Sequence, residues 1–109
     1  MRVLLDVCTP VQVSRALPAH EVRTAVKMGW GELENGDLLV AAESAGFDLL
    51  IICDKNLSHQ QDLAGRRLAI LELWTNHRPT LEHHWSMIKD AAEAMRPGEY
   101  RALHPPDGV

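Results

Sequence analysis

Three aspartates, Asp6, Asp37 and Asp54, occupy positions from which carboxylates could work together on a metal. Asp6 closes the apolar run "RVLLD", and Asp54 closes the longer run in "GFDLLIICD". Asp37 follows Asn35-Gly36, a helix-opening pair, and its charge complements the positive helix start. Carboxylates brought together repel one another and rise in pKa unless cations neutralise them. Hard divalent cations, Mg²⁺ or Mn²⁺, take such oxygen ligands and keep waters for substrate phosphates. Two of them side by side can activate a water and hold the leaving oxygen of a phosphodiester. Each acid also has an ordinary role open to it: Asp37 as a helix-start charge, Asp6 and Asp54 as strand-end turn formers. Their joint placement at one edge of a sheet is what favours the chemical reading.

Around these acids stand residues that could touch a substrate. Asn56 could be a ligand or a helix cap, and Trp30 could stack a base or plug the sheet edge. Lys55, with Arg66 and Arg67, supplies the few cations near the rim, either meeting phosphate or flanking a strand. Glu32 and Glu34 read as loop solvation within reach of a metal. "LEHHW" with His77 makes a poor metal site, since adjacent helical side chains point about 100° apart. Cys8 and Cys53 read as buried small hydrophobes rather than a disulfide, and no CxxC or HxxxH spacing suggests zinc. Trp74, Trp85 and Met87 read as core or a dimer face.

The elements that must position these groups follow from patterning. "RVLLD" has the form of a buried strand. Thr9-Pro10 reads as N-cap and first residue of a short helix reaching Leu17, closed by Pro18. "HEVRTAV" alternates polar and apolar residues and predicts a second strand. Asn35 caps a helix in which Leu38, Leu39, Ala42 and Ala45 fall at helical spacing, and Gly46 ends it. A strand over 48–53 follows almost at once, then a short helix from Asn56 or Ser58 to about Ala64. "RRLAILEL" is the next strand, and Thr80 caps one long helix, "LEHHWSMIKDAAEAM". Pro97-Gly98 breaks that helix, and "EYRAL" is a last edge strand. Residues 1–104 thus form one domain, with 105–109 a disordered tail. The alternation of strands and helices predicts an α/β fold, a three-layer α/β/α sandwich with a mostly parallel central sheet. In such a sheet the first and third strands can be neighbours, and the helix carrying Asp37 runs antiparallel to them. All three acids then fall at the rim outside the carboxyl ends of the strands, the working face of open α/β sheets.

Bulk composition agrees with one ordinary globular domain. Of the 109 residues 46% are hydrophobic and 24% charged, while only 5% are aromatic, so the core must be aliphatic. A formal charge of −4 argues against a broad basic face for coating nucleic acid. No apolar run is long enough to span a bilayer, and Asp6 comes too early for a signal peptide, so the expected location is cytoplasmic.

With these residues in place, the chain resembles the small PIN-like proteins of the PIN nuclease superfamily, in the branch found near toxin–antitoxin genes. The matching pieces are "VLLD" followed by Pro10, "HEVRTAVKMGW", "NGDLLVAAESAGFDLLIICDKNL" and "LAILEL", which together cover most of residues 2–75. The resemblance implies a PIN-like fold and metal-dependent ribonuclease chemistry, with Asp6, Asp37 and Asp54 matching the family's acidic cluster and Asn56 the polar residue after the last Asp. It implies RNA as substrate, Mg²⁺ or Mn²⁺ as cofactor, an antitoxin protein as partner and self-association as a homodimer. Two positions depart from the pattern. The family follows its first Asp with an acidic residue and Asn, where this chain has Val7 and Cys8, and commonly places Thr before the last Asp, where this chain has Cys53. Loss of polar support around a metal commonly weakens it tenfold or more. A catalytically degenerate module that binds a protein or RNA is therefore the alternative reading. A phospho-acceptor receiver domain fits less well, since it wants paired acids after strand 1 and Asp6 stands alone.

Overall fold

Runs of Leu, Ile and Val without polar interruption are stable as strands only where both faces are covered. Three such runs pair side by side in the computed structural model, which describes residues 1–53 and 66–105. They are β1 (Arg2–Leu5), β3 (Leu49–Ile52) and β4 (Ala69–Glu72). The more polar β2 (Glu21–Thr24) and β5 (Tyr100–Ala102) take the two edges, where charged side chains protect the unpaired backbone. The strand order is β2-β1-β3-β4-β5 and every pairing is parallel. Leu5 stands opposite both Thr24 and Ile51, so β1, β2 and β3 come out level at their carboxyl ends.

The period of two divides the strand residues between two apolar clusters. Val3, Leu5, Leu49, Ile51, Ala69 and Leu71 pack with Val13, Ala16 and Leu17 of a 3-10 helix (Val11–Ala16). The same cluster takes in Leu81 from α2 (Arg78–Glu82) and Ile88, Ala91 and Ala92 from α3 (Trp85–Ala94). Leu4, Leu50, Ile52 and Ile70 belong to the other cluster, with Leu38, Leu39 and Ala42 of α1 (Asn35–Ser44). The first two connections leave β1 and β2 in opposite directions along the sheet and cover opposite faces, so they share one hand. The connection from β4 to β5 moves in the same direction as that from β2 to β3 yet packs beside the 3-10 helix, so it has the other hand, an uncommon arrangement in parallel sheets.

Local chemistry explains where the elements stop. Gly46 takes φ +83° just after α1, the left-handed conformation that ends helices without a Cβ penalty. Glu34, not Asn35, holds the cap position of α1, because the first helical bond runs from Leu38 N–H to the Glu34 carbonyl. Thr80 is likewise inside α2 rather than capping it. Pro79 fits the first helical turn, where its missing N–H costs nothing, so the helix begins at Arg78. The long helix expected over 81–95 is two helices, and the break falls at His83 and His84, where the His84 ring meets Trp74 edge-on at 5.5 Å. The helix expected between Asn56 and Ala64 lies outside the described residues. Among the described residues no helix is long and apolar enough to cross a membrane.

Candidate functional site

Asp6 is fixed to the carboxyl rim by its own backbone. Its N–H donates to the Ile51 carbonyl at 3.2 Å, carrying the β1–β3 ladder one residue beyond the strand. The chain then reverses: Thr9 N–H donates to the Asp6 carbonyl at 3.1 Å. The Thr9 hydroxyl folds back onto Asp6 Oδ1 at 2.5 Å and lies 3.0 Å from the Ile51 carbonyl. Both residues are buried, Asp6 at 9% exposure and Thr9 at 6%. Thr9 is therefore not the helix cap that its place before Pro10 suggests; Pro10 occupies that position without any side-chain cap bond. The hydroxyl gains more from a buried carboxylate than from a helix start whose N–H groups can meet water.

The turn from Asp6 to Thr9 also decides what becomes of the two residues between them. Its central positions, Val7 and Cys8, project outward and are exposed. Cys8 is thus not the buried hydrophobe expected from its place beside a strand. Cys53 is half-buried against the core, 3.6 Å from the Thr9 hydroxyl, and its thiol donates to the Thr75 carbonyl at 3.5 Å. Burial pushes the Cys53 thiol up to about 11, the Thr9 hydrogen bond pulls the other way, and the Asp6 charge adds to the rise. Cys53 is therefore a neutral packing group at ordinary pH, not a nucleophile. Thr9 supplies, from the far side, a hydroxyl next to both Cys53 and Asp6.

A cleft of about 340 Å³ opens at this rim, lined by Asp6, Val7, Thr9, Val11, Thr24, Val26 and Lys27. Its walls are largely valine: Val7, Val11 and Val26 are 54%, 51% and 65% exposed. Gly31 backs onto two of them, so that a Cβ there would meet Val26 Cγ2 at 3.6 Å and Val7 Cγ1 at 3.8 Å. The backbone N–H of Lys27 donates to the Thr24 hydroxyl at 3.1 Å, and among the described residues Lys27 is the cation that borders the cleft. Sequence reasoning missed both Thr9 and Lys27. The Asp-x-x-Thr spacing is a usable signal for the first. Lys27 becomes visible only once β2 is known to lie against β1.

The remaining sequence-derived candidates fall in several places. Asp37 is exposed in the first turn of α1 and does not line the Asp6 cleft. Asp54, Lys55 and Asn56 lie outside the described residues. Among the described residues no group of three or more His, Cys, Asp or Glu side chains could hold a metal. Trp30 is partly buried against the α1-side cluster, with its ring edge-on to Phe47 at 6.0 Å. Arg66 and Arg67 are corrected in position. They precede β4, so they lie at the amino ends of the strands, opposite Asp6, where Arg66 pairs with Glu43 at 3.6 Å. Comparison of the chain with family models, with curated proteins and with solved structures found no match.

Proposed function

We propose that this chain is a PIN-like, metal-dependent ribonuclease that hydrolyses phosphodiesters, acting as the toxin of a toxin–antitoxin pair, with its sheet and helices arranged as a three-layer α/β/α sandwich. The observation that carries the reading is the buried Asp6 carboxylate at the carboxyl end of β1, beside β3, oriented by the Thr9 hydroxyl. Parallel α/β sheets bind ligands at this rim, and at the point where connections leave in opposite directions, which here is β1 and β3. The oxygen donor set of Asp6, Asp37 and Asp54 suits Mg²⁺ or Mn²⁺. Such an ion, when bound, supplies charge neutralisation and water activation. The chain itself supplies the rest. Thr9 holds Asp6 in one orientation and compensates for the Thr that Cys53 replaces, and Lys27 offers a positive charge to an RNA phosphate entering the cleft.

The exposed valines around Asp6 favour a second reading, a degenerate PIN-like module whose rim docks on a protein partner such as an antitoxin. One experiment separates the two. Mn²⁺ binding by calorimetry and cleavage of single-stranded RNA are measured on the wild type and on Asp6→Asn and Asp54→Asn. Binding and cleavage that both vanish in the variants establish the nuclease. Absence of binding at millimolar Mn²⁺ in the wild type sinks it and leaves the docking module.

A further inference from the structure

The amino rim of the sheet carries a second pocket, about 230 Å³, on the opposite side from Asp6. Its floor is apolar: Phe47, Leu49 and Ala69 are buried at 4%, 1% and 3% exposure, and Met95 closes one side. Two arginines, Arg67 and Arg96, stand at its mouth.

The state of the charges around this pocket is informative. The acids that line it are already satisfied: Glu43 by Arg66 at 3.6 Å and by the Arg67 N–H at 3.0 Å, and Asp48 by the Arg2 N–H at 2.8 Å. Glu99, next to the pocket wall, is taken by the Arg101 guanidinium at 2.9 Å and the Arg96 N–H at 3.0 Å. Arg2, Arg23, Arg66, Arg78 and Arg101 each reach a carboxylate. The guanidinium groups of Arg67 and Arg96 form no ion pair within 4.0 Å among the described residues, although Arg96 lowers the Glu99 carboxyl pKa, chiefly through its N–H and in smaller part through its charge.

The fold nevertheless holds these two cations at one mouth. Gly98 N–H donates to the Arg67 carbonyl at 2.9 Å, which ties the turn after Arg96 to the strand lead-in carrying Arg67. The approach is close enough that a Cβ on Gly98 would lie 2.5 Å from the Arg66 carbonyl oxygen. Two arginines whose backbones are tied beside an apolar cavity, with neighbouring acids already paired, are an arrangement that an anion completes.

From this we infer that the amino-rim pocket binds a small organic anion, a phosphate or carboxylate head held by Arg67 and Arg96 with an apolar body resting on Phe47, Leu49 and Ala69. The site is separate from the proposed nuclease centre and does not depend on it. Phenyl phosphate, benzoate, inorganic phosphate, benzyl alcohol and benzylamine are titrated into the full chain, following the backbone amide resonances of Gly46, Leu49 and Ala69. Saturable shifts with phenyl phosphate or benzoate are expected, and the tighter of the two identifies the head group. The neutral alcohol should bind roughly tenfold more weakly or worse, as should either anion to Arg67→Gln or Arg96→Gln, each made at an exposed side chain. Asp6→Asn should bind the anions unchanged. The inference is overturned if neither anion gives saturable shifts, if benzyl alcohol or benzylamine binds as well as the anions, or if Arg67→Gln or Arg96→Gln retains full affinity. Inorganic phosphate binding as tightly as phenyl phosphate overturns the apolar part of the site.

Discussion

The two rims of this sheet use charge in opposite ways. At the amino rim, acids and arginines are matched and tie strand starts together. Arg2 pairs with Glu21 at 2.6 Å, reaches the Ala45 carbonyl and lies 4.3 Å over the Phe47 ring, so one side chain joins β1, β2 and the end of α1. At the carboxyl rim, Asp6 sits under a hydroxyl and among valines, with Lys27 at the edge of the cleft. Paired charges hold a fold in place; the Asp6 carboxylate is instead held by the Thr9 hydroxyl at the edge of a cleft, which is the contrast the proposed function builds on. The difference sets a rim of matched charges against a rim where a carboxylate lines an apolar cleft, with the Arg67–Arg96 pocket as the exception on the matched side.

Substitutions can break or sharpen this contrast. The largest effect is expected at the amino rim, from Gly98→Ala. The residue has φ +78°, and the added Cβ would strike the Arg66 carbonyl at 2.5 Å. The left-handed strain and the clash together should cost about 3 kcal/mol, read as a lower midpoint in urea unfolding. Next comes Thr9→Val at the carboxyl rim, which keeps the volume and removes the hydroxyl from Asp6. A loss of about 2 kcal/mol is expected, together with at least roughly tenfold weaker Mn²⁺ binding, and Thr9→Ser should restore both. Unchanged stability in Thr9→Val would mean that the hydroxyl does not hold the carboxylate.

Cys53 gives a smaller, pH-dependent test. Its folded pKa of about 11 lies above the ordinary 9.0, so the folded state keeps the proton more tightly. The associated stability is intact below pH 9 and is lost as pH rises towards 11. Melting of wild type and Cys53→Ala across that window should show a steeper decline in the wild type. At pH 8 only about a thousandth of Cys53 would be thiolate, so iodoacetamide should modify exposed Cys8 first, as peptide mapping would reveal. The smallest effect is expected from Glu21→Gln. Arg2 holds the Glu21 carboxyl below its usual range, and its stabilisation is present above the ordinary carboxylate pKa and lost as pH falls. Because the pair is solvent-exposed, the change in melting temperature should be barely detectable and should disappear in high salt.

Much of the fold was legible in the chain. The apolar runs at Arg2–Leu5, Leu49–Ile52 and Ala69–Glu72 are short, unbroken and rich in branched residues, and all became parallel strands. Gly46 and Pro97-Gly98 end their helices where the residue types demand it. The site was legible only in part. Asp6 was found because a carboxylate ending a buried run is conspicuous. Thr9 was misassigned because the sequence before Pro10 looks the same whether a hydroxyl turns towards a helix or back to a strand end. Arg66 and Arg67 were placed at the wrong rim because a strand's direction in the sheet is not written in its flanking charges.

The sequence by itself determined which segments are strands, that Asp6 stands at the end of the first, and that the core is aliphatic, because these depend on the spacing of residue types along a few turns of chain. Tertiary structure decided the strand order, the opposite hands of the connections, the partner of Thr9, the outward turn of Val7 and Cys8, and the sharing of one pocket by Arg67 and Arg96. Each of these depends on contacts between residues far apart in sequence, where burial and hydrogen bonding to distant groups outweigh local preference.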